Sequence, residues 1–345
     1  MKKIVHCICS FNVGGAETML VDIMNEQVLK YEVTLVILND SYSQSLLDKL
    51  VPAVKIVKIN RPSGSRNPWY IASLNYRLFG ENLDVLHLHS SSLLGLIFGF
   101  RSRAFYTCHD VGVRFAPHKV SRVFAISHSV AEDIRIRYGY DNVSVVPNGI
   151  NVEAILPREP RLGDGLIRIV NVARLNHQKK GQDILIKAIA LLRDRGLDNL
   201  SVAFIGEGDS RELLEKLSED LNVSEQVRFL GLKDREYIYQ HLCDYDLMCH
   251  PSRFEGFGLT VAEGMAAKLP VLVATGDGPY EIIGQGKYGF SFENGSVESC
   301  ADTLEYMIKN YHLIVANVEV ARKHIEKKYS VERMVARLVD RKSVV

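Results

Sequence analysis

The sequence predicts an α/β protein made of two doubly wound, parallel-sheet domains. Three observations carry this reading. Short runs rich in Val, Ile and Leu recur along the chain without polar alternation, as in strands buried on both faces. Helix-period segments separate them, which is the alternation of open parallel sheets. The series breaks once, at a stretch dense in proline and glycine, and 345 residues suffice for two cores.

In the first half, strands are expected at 4–9, 33–38, 54–59, 85–89, 104–107, 123–126 and 143–146. Helices are expected at 17–30 and 129–138. Pro147, Asn148 and Gly149 stop the last strand, and Pro157, Pro160, Gly163 and Gly165 punctuate an aperiodic linker over 147–165. The second series has strands at 167–172, 202–205, 227–230, 247–250 and 271–274. Its helices fall at 182–195, 211–221, 235–242 and 259–267. The chain then turns helical, over 296–311, a segment through Lys328, and 331–342. The expected organisation is a first domain 1–155, a second domain 156–327, and a closing helix in 328–345 that packs back toward the first.

Composition narrows the function. At 47% hydrophobic and 24% charged, with 25 glycines and 10 prolines, the chain is neither disordered nor collagen-like. Lysine plus arginine is 42 and aspartate plus glutamate 41, so no nucleic-acid partner is expected. Cys7, Cys9, Cys108, Cys243, Cys249 and Cys300 are scattered, mostly inside apolar runs, and read as free thiols in a reducing compartment. Cys7 and Cys9 share a strand face, but no second cysteine pair or spaced histidine completes a zinc set, so no metal is expected. The N-terminal apolar run is too short for a signal-peptide core, and residues 93–100 fall far below the roughly 20 needed to span a bilayer. A cytoplasmic protein is expected, at most peripheral on the inner face of the plasma membrane.

Ligands of open parallel sheets bind at the carboxyl ends of strands, so the strand-to-helix turns are searched. The first turn carries Gly14-Gly15 ahead of a helix, where bare backbone and free amides suit a phosphate; a plain tight turn is the competing reading. It is not the G-x-G-x-x-G dinucleotide fingerprint. The second cluster runs Asn171 to Gly181, with Arg174 at a strand end and Lys180 just before a helix. Such a pair neutralises a departing diphosphate, against the competing reading of solvated loop charges. The third runs Pro251 to Glu263: Glu255 precedes a helix, Gly256 and Gly258 bend the loop, and Glu263 lies one turn inside an apolar helix where a carboxylate needs a partner. The fourth is His109 at a first-half strand end; a structural histidine there is equally common. His87 reads as a core histidine, and His89 as lining a cleft.

These residues, in this order, resemble the family 4 retaining glycosyltransferases, which have the GT-B fold of two Rossmann-like domains facing a central cleft. Glu255, which opens Glu-Gly-Phe-Gly-Leu, and Glu263, with seven residues between the two, carry the resemblance most specifically. Arg174 with Lys180-Gly181 comes second, and Gly206-Glu207-Gly208 and Val227 to Gly231 support it. The resemblance covers the whole second domain and is patchier over the first. It implies a nucleotide-diphosphate sugar as donor, a UDP-sugar, with no cofactor and no metal. Gly14 and Gly15 would approach the donor phosphates, Arg174 and Lys180 would bind the diphosphate, and Glu255 would hold sugar hydroxyls. Backbone around Phe257, Gly258 and Leu259 would help, Gly206 and Gly231 would border the nucleotide, Glu263 would bind the ribose, and His109 would assist at the sugar. Gly264 departs from the family pattern, which has alanine there.

The acceptor is not carried over. Residues 1–160 hold 17 basic and 14 acidic side chains, net +3, and the rest 25 and 27, net −2. The basic run from Arg101 to Arg137 is interleaved with Phe100, Phe105, Tyr106 and Phe115, which suits an anionic membrane surface and a glycan or lipid-linked acceptor. Incidental surface charge and a soluble acceptor are the competing view. An epimerase or hydrolase on the same fold, or a silent nucleotide-sugar binder, are the alternative functions.

Overall fold

The computed structural model describes residues 1–159 and 165–342. Pro160 and Gly163 of the expected linker lie outside the described residues. The chain divides into two compact units, one of Met1–Gly149 with the segment from Val331 onward, the other of Ile150–Ser330.

The first unit holds seven strands: β1 (Lys3–Ile8), β2 (Glu32–Asn39), β3 (Lys55–Arg61), β4 (Val85–Leu88), β5 (Ala104–Cys108), β6 (Arg122–Ala125) and β7 (Val143–Val145). They lie in the order β3-β2-β1-β4-β5-β6-β7, with the described pairs parallel. The second unit holds β8 (Ile167–Val172), β9 (Leu200–Ile205), β10 (Val227–Phe229), β11 (Leu247–His250), β12 (Val271–Ala274) and β13 (Phe290–Phe292). Their order is β10-β9-β8-β11-β12-β13, again parallel. In each sheet the order reverses next to the first strand of that unit, between β1 and β4 and between β8 and β11. That switch point is where crevices open beyond the strand ends.

The expected strands are all present, within three residues at each end. β13 and the helices Trp69–Gly80 and Gly278–Ile282 have no counterpart in the sequence reading. β13 is only three residues long. The helix Trp69–Gly80 buries just Leu74 and Leu78 and turns Trp69, Tyr76 and Phe79 outward, so it carries no clean apolar stripe.

The unit boundary falls at 149/150 and 330/331 because Ile150 bridges Ser330 and its amide donates to the Tyr329 carbonyl (2.8 Å). The helix Val318–Tyr329 therefore stays with the second unit, burying Ala321, Ile325 and Tyr329. The helix Val331–Lys342 returns to the first unit, where Met334, Val335 and Leu338 join Ile4, Met19, Ile23, Phe105 and Phe124 in one cluster. In the second unit a large cluster gathers around Phe204, Ile189, Leu192, Leu247 and Phe292. Gly264 also finds its reason there: a Cβ would come 2.5 Å from the Met248 sulfur, so the bare helix face makes room for that side chain.

One expectation is corrected. Phe100, Phe105 and Tyr106 do not present rings to a headgroup layer; they are buried, and Phe115 is half-buried between Tyr106 and Tyr138. Phe105 and Tyr106 are successive residues of β5, a strand buried on both faces, and Phe100 packs against Phe79. Arg137 pairs with Asp133, and Arg135 lies 3.6 Å from Glu132. The outward aromatics are instead Trp69, Tyr76 and Phe79 with Phe98, whose amide donates to Asn75 Oδ1 (3.0 Å) of the same helix.

Leu338 is fully buried in the cluster that the last helix completes. Leu338→Ala is expected to cost about 2–5 kcal/mol, read as a lower urea midpoint for the first unit.

Candidate active site

In the second unit the loops following β8, β9, β10 and β11 are stitched into one surface. The Gly206 amide donates to the Gly231 carbonyl (2.9 Å), and the Leu175 amide to that of Glu207 (3.0 Å). Gly206 sits at φ +144°, and a Cβ there would lie 2.1 Å from the Ala173 oxygen, so only glycine permits this approach. The Arg174 carbonyl accepts from Gln182 Nε2 (2.9 Å), which turns the guanidinium outward; it is 70% exposed, 3.6 Å from Asp209.

After Arg174 the chain makes one short helix, His177–Lys180, capped by Asn176 Oδ1, which accepts from the Lys179 amide (3.1 Å). Gly181 ends it at φ +65°, with the Pro251 carbonyl so close that a Cβ would meet it at 1.9 Å. This contact locks the Lys180 turn against the loop after β11. Arg253 completes the lock: its guanidinium donates to both Asp183 oxygens (2.7 and 2.9 Å) and to the His177 carbonyl (2.7 Å), while its amide donates to the Lys179 carbonyl (2.9 Å). Burial works against the Asp183 charge, but Arg253 outweighs it and holds the carboxyl below its ordinary value.

This lock brings Lys180 Nζ onto Glu255, which forms an ion pair with it. His250 Nε2 stands 3.5 Å from the same oxygen and 2.9 Å from Ser252 Oγ. Burial pushes the Glu255 carboxyl up, but hydrogen bonding from His250 and the charge of Lys180 outweigh it and bring it down to about 2. Glu255 is therefore anionic at any physiological pH. Its amide donates to Asp277 Oδ2 (3.1 Å), and the Gly278 amide returns to its carbonyl (3.2 Å). Phe257 is buried, its ring edge-on to Tyr329 at 5.7 Å, so only its backbone is left toward the loop surface. Gly258 opens the helix Leu259–Ala266 at φ +94°, and Glu263, 8% exposed, is buried inside that helix.

In the first unit, Gly14 caps the helix Gly15–Gln27 in extended conformation. Glu17 lies over that cap, its carboxylate 2.5 Å from where a Gly14 Cβ would be, and burial raises its pKa. His109 follows β5, half-buried, with Nε2 enclosed and without a hydrogen-bond partner. Its ring stacks on His89 at 6.0 Å. Burial, against the charge of Asp110, lowers it to about 4, so it is neutral at pH 7.

The structure thus groups Arg174, Lys180, Gly206, Gly231, Glu255, Phe257, Gly258, Leu259 and Glu263 in the second unit, and Gly14, Gly15 and His109 in the first. The sequence reading missed Arg253, Asp183, His250 and Asp277, which hold the charged set in place. Arg253 stood within a quoted motif, but its partner lies 70 positions away.

Two doubly wound parallel-sheet units, one carrying cations and a buried carboxylate at its strand ends, define a two-domain Rossmann-like architecture. The match to known families makes the class definite. Residues 153–329, just over half the chain, match the glycosyl transferases group 1 model, and residues 13–154 match Glycosyltransferase Family 4. The chain belongs to this glycosyltransferase family and has the GT-B fold.

An uncharacterized glycosyltransferase of Methanocaldococcus jannaschii is 29% identical over 222 residues, 61% of this chain and 56% of that protein. The chain spans about half the length of the first curated relatives it matches. A Campylobacter jejuni relative, an N-acetylgalactosaminyltransferase acting on a diphospho-undecaprenol-linked saccharide, is 24% identical over 90% of this chain and 91% of its own. Anabaena Alr3699/HepE, solved with UDP and glucose, superposes with a TM-score of 0.82 at 20% identity over all of both chains. Among the described residues no helix is long and apolar enough to cross a membrane.

The folded pKa of His109 lies below its ordinary 6.5. The unfolded chain therefore binds the proton more readily, and stability falls as pH drops from about 6.5 toward 4. His109→Gln is expected to remove a contribution on the order of 3 kcal/mol from that slope, measured as urea midpoints across the interval.

Proposed function

We propose that this chain transfers a sugar from a UDP-sugar, with retention of anomeric configuration, to a glycan or lipid-linked saccharide in cell-surface polysaccharide or lipopolysaccharide assembly. The observation that carries this reading is the anionic Glu255 held between Lys180 and His250 in the loop after β11.

As the sugar C1–O bond breaks, C1 gains oxocarbenium character and negative charge gathers on the departing diphosphate. Arg174 and Lys180 bind that charge more strongly in the transition state than in the ground state, which lowers the barrier. Glu255 aligns the Lys180 ammonium beforehand and accepts hydrogen bonds from sugar hydroxyls. Backbone amides at Phe257 to Leu259 hold phosphate or sugar oxygens. Gly206 and Gly231 border the nucleotide, Glu263 takes the ribose hydroxyls, Gly14 and Gly15 approach the phosphates, and neutral His109 assists at the transferred sugar. Front-face attack, in which the leaving phosphate accepts the acceptor proton, gives retention without a nucleophilic carboxylate. The two cations serve the diphosphate in place of a divalent ion.

Arg174→Ala and Lys180→Ala are each expected to lower turnover at least tenfold, about 1.4 kcal/mol. Glu255→Ala should also erode discrimination in a panel of nucleotide sugars, and added magnesium should leave the wild-type rate unchanged. Product anomers are read by NMR. Unchanged turnover in the double cation variant would move the diphosphate elsewhere, and donor cleavage equally fast without acceptor would make the chain a hydrolase.

A lipid-linked acceptor needs a peripheral membrane face. The helix Trp69–Gly80 supports one, with Trp69 71% and Tyr76 78% exposed, Phe79 and Phe98 beside them, and exposed Arg66, Arg77 and Arg101 nearby in sequence. Trp69 is the chain's single tryptophan. Its fluorescence is expected to shift blue with anionic vesicles and to revert with salt as the cations are screened. Identical spectra with anionic and neutral vesicles would leave a soluble acceptor.

A further inference from the structure

Away from the charged set of the second unit, the first unit gathers three histidines on one sheet face. β1 and β4 are parallel neighbours with His6 opposite His87, and the strand period of two carries His89 to the face of His87. His6 and His87 are fully buried and His89 is half-buried. One ring nitrogen from each lies within 4.8 Å of the others, and His6 Nδ1 is 3.0 Å from His89 Nε2. Ring centroids are 5.2 Å apart for His6 and His87, 5.3 Å for His6 and His89, and 4.2 Å for His87 and His89.

We propose that His6, His87 and His89 form a binding site for a divalent transition metal of the zinc class. Zinc–nitrogen bonds of about 2.0–2.1 Å in a tetrahedral site put the nitrogens ~3.3 Å apart and the ring centres ~5 Å apart. The measured spacings need only small rotations about the side-chain bonds to reach those values. Three imidazoles are a donor set for zinc, cobalt, nickel or copper rather than for magnesium or calcium. The outer contacts fit as well. His6 Nε2 meets Gln27 Oε1 at 2.7 Å, and His87 Nε2 meets Thr107 Oγ1 at 2.7 Å. A ligating histidine gives its far N–H to such an acceptor, which fixes the tautomer and aims the near nitrogen at the ion. His6 and His87 would then ligate through Nδ1 and His89 through Nε2, with water in the fourth position. Without the ion, His89 Nε2–H donates to His6 Nδ1. On binding, His89 carries its hydrogen on Nδ1, so no ligand changes charge. Cys7, on the alternate face of β1, takes no part.

The site also bears on His109, whose ring stacks on His89. An ion that fixes His89 fixes the platform under His109.

The test uses the full-length, tag-free chain stripped with a chelator. One equivalent of Co2+ is expected to give the visible absorption of a four-coordinate site, bleached by one equivalent of Zn2+. His89→Gln and His6→Gln should each weaken binding tenfold or more, with circular dichroism reporting their fold. A second measurement needs no variant: one equivalent of Zn2+ should suppress diethyl pyrocarbonate modification of His89 while leaving exposed His118 and His312 unchanged. Absence of the cobalt band together with unprotected His89, or Co2+ affinity unchanged in folded His89→Gln, overturns the proposal.

Discussion

The grip of Arg253 on Asp183 is the constraint on which the second unit's site depends. Two parallel N–H···O bonds set the guanidinium plane, and a third bond to the His177 carbonyl fixes its roll. The loops after β8 and β11 are thereby held at one separation. Lys180 rides on the first loop and Glu255 on the second, so their encounter is a result of that separation rather than its cause. Lysine in place of Arg253 would keep the charge and lose the fork, and with it the register of the loops.

The charged residues beyond this grip illustrate how buried polarity is made tolerable. Glu255 is removed from most solvent yet stays ionised, because an ammonium, an imidazole and a backbone-bracing Asp277 surround it. The ammonium and the imidazole offset the desolvation, while Asp277 braces only the Glu255 main chain. Electrostatic groups oriented before substrate arrives need little reorganisation afterwards. Arg174 is the opposite case, exposed and only loosely paired with Asp209.

Much of this architecture was legible in the chain. Uninterrupted Val, Ile and Leu runs identify strands covered on both sides, and the glycines at 181 and 206 mark turns where backbone approaches backbone. The Glu255 and Glu263 pair lies within one local motif, so its proximity could be read directly. Arg253 with Asp183, and His6 with His87, could not. Their partners are distant in sequence, and only sheet order makes them neighbours. The aromatics of 100–115 misled for a related reason: a strand covered on both faces and an interfacial stretch both carry large rings, and composition does not separate them. Helix Trp69–Gly80 escaped because its outward face is apolar.

The return of the final helix to the first unit has a consequence for synthesis. The ribosome delivers residues 1–149 early, but Met334 and Leu338, which complete their core, emerge only after the 181 residues of 150–330. At about 5–20 residues per second this interval is roughly 10–40 s. During it the seven-stranded sheet presents an uncovered apolar strip, whereas the second unit is assembled from one contiguous stretch of chain. The unit translated first is therefore the one finished last, its sheet keeping an open apolar strip until the helix Val331–Lys342 has been made.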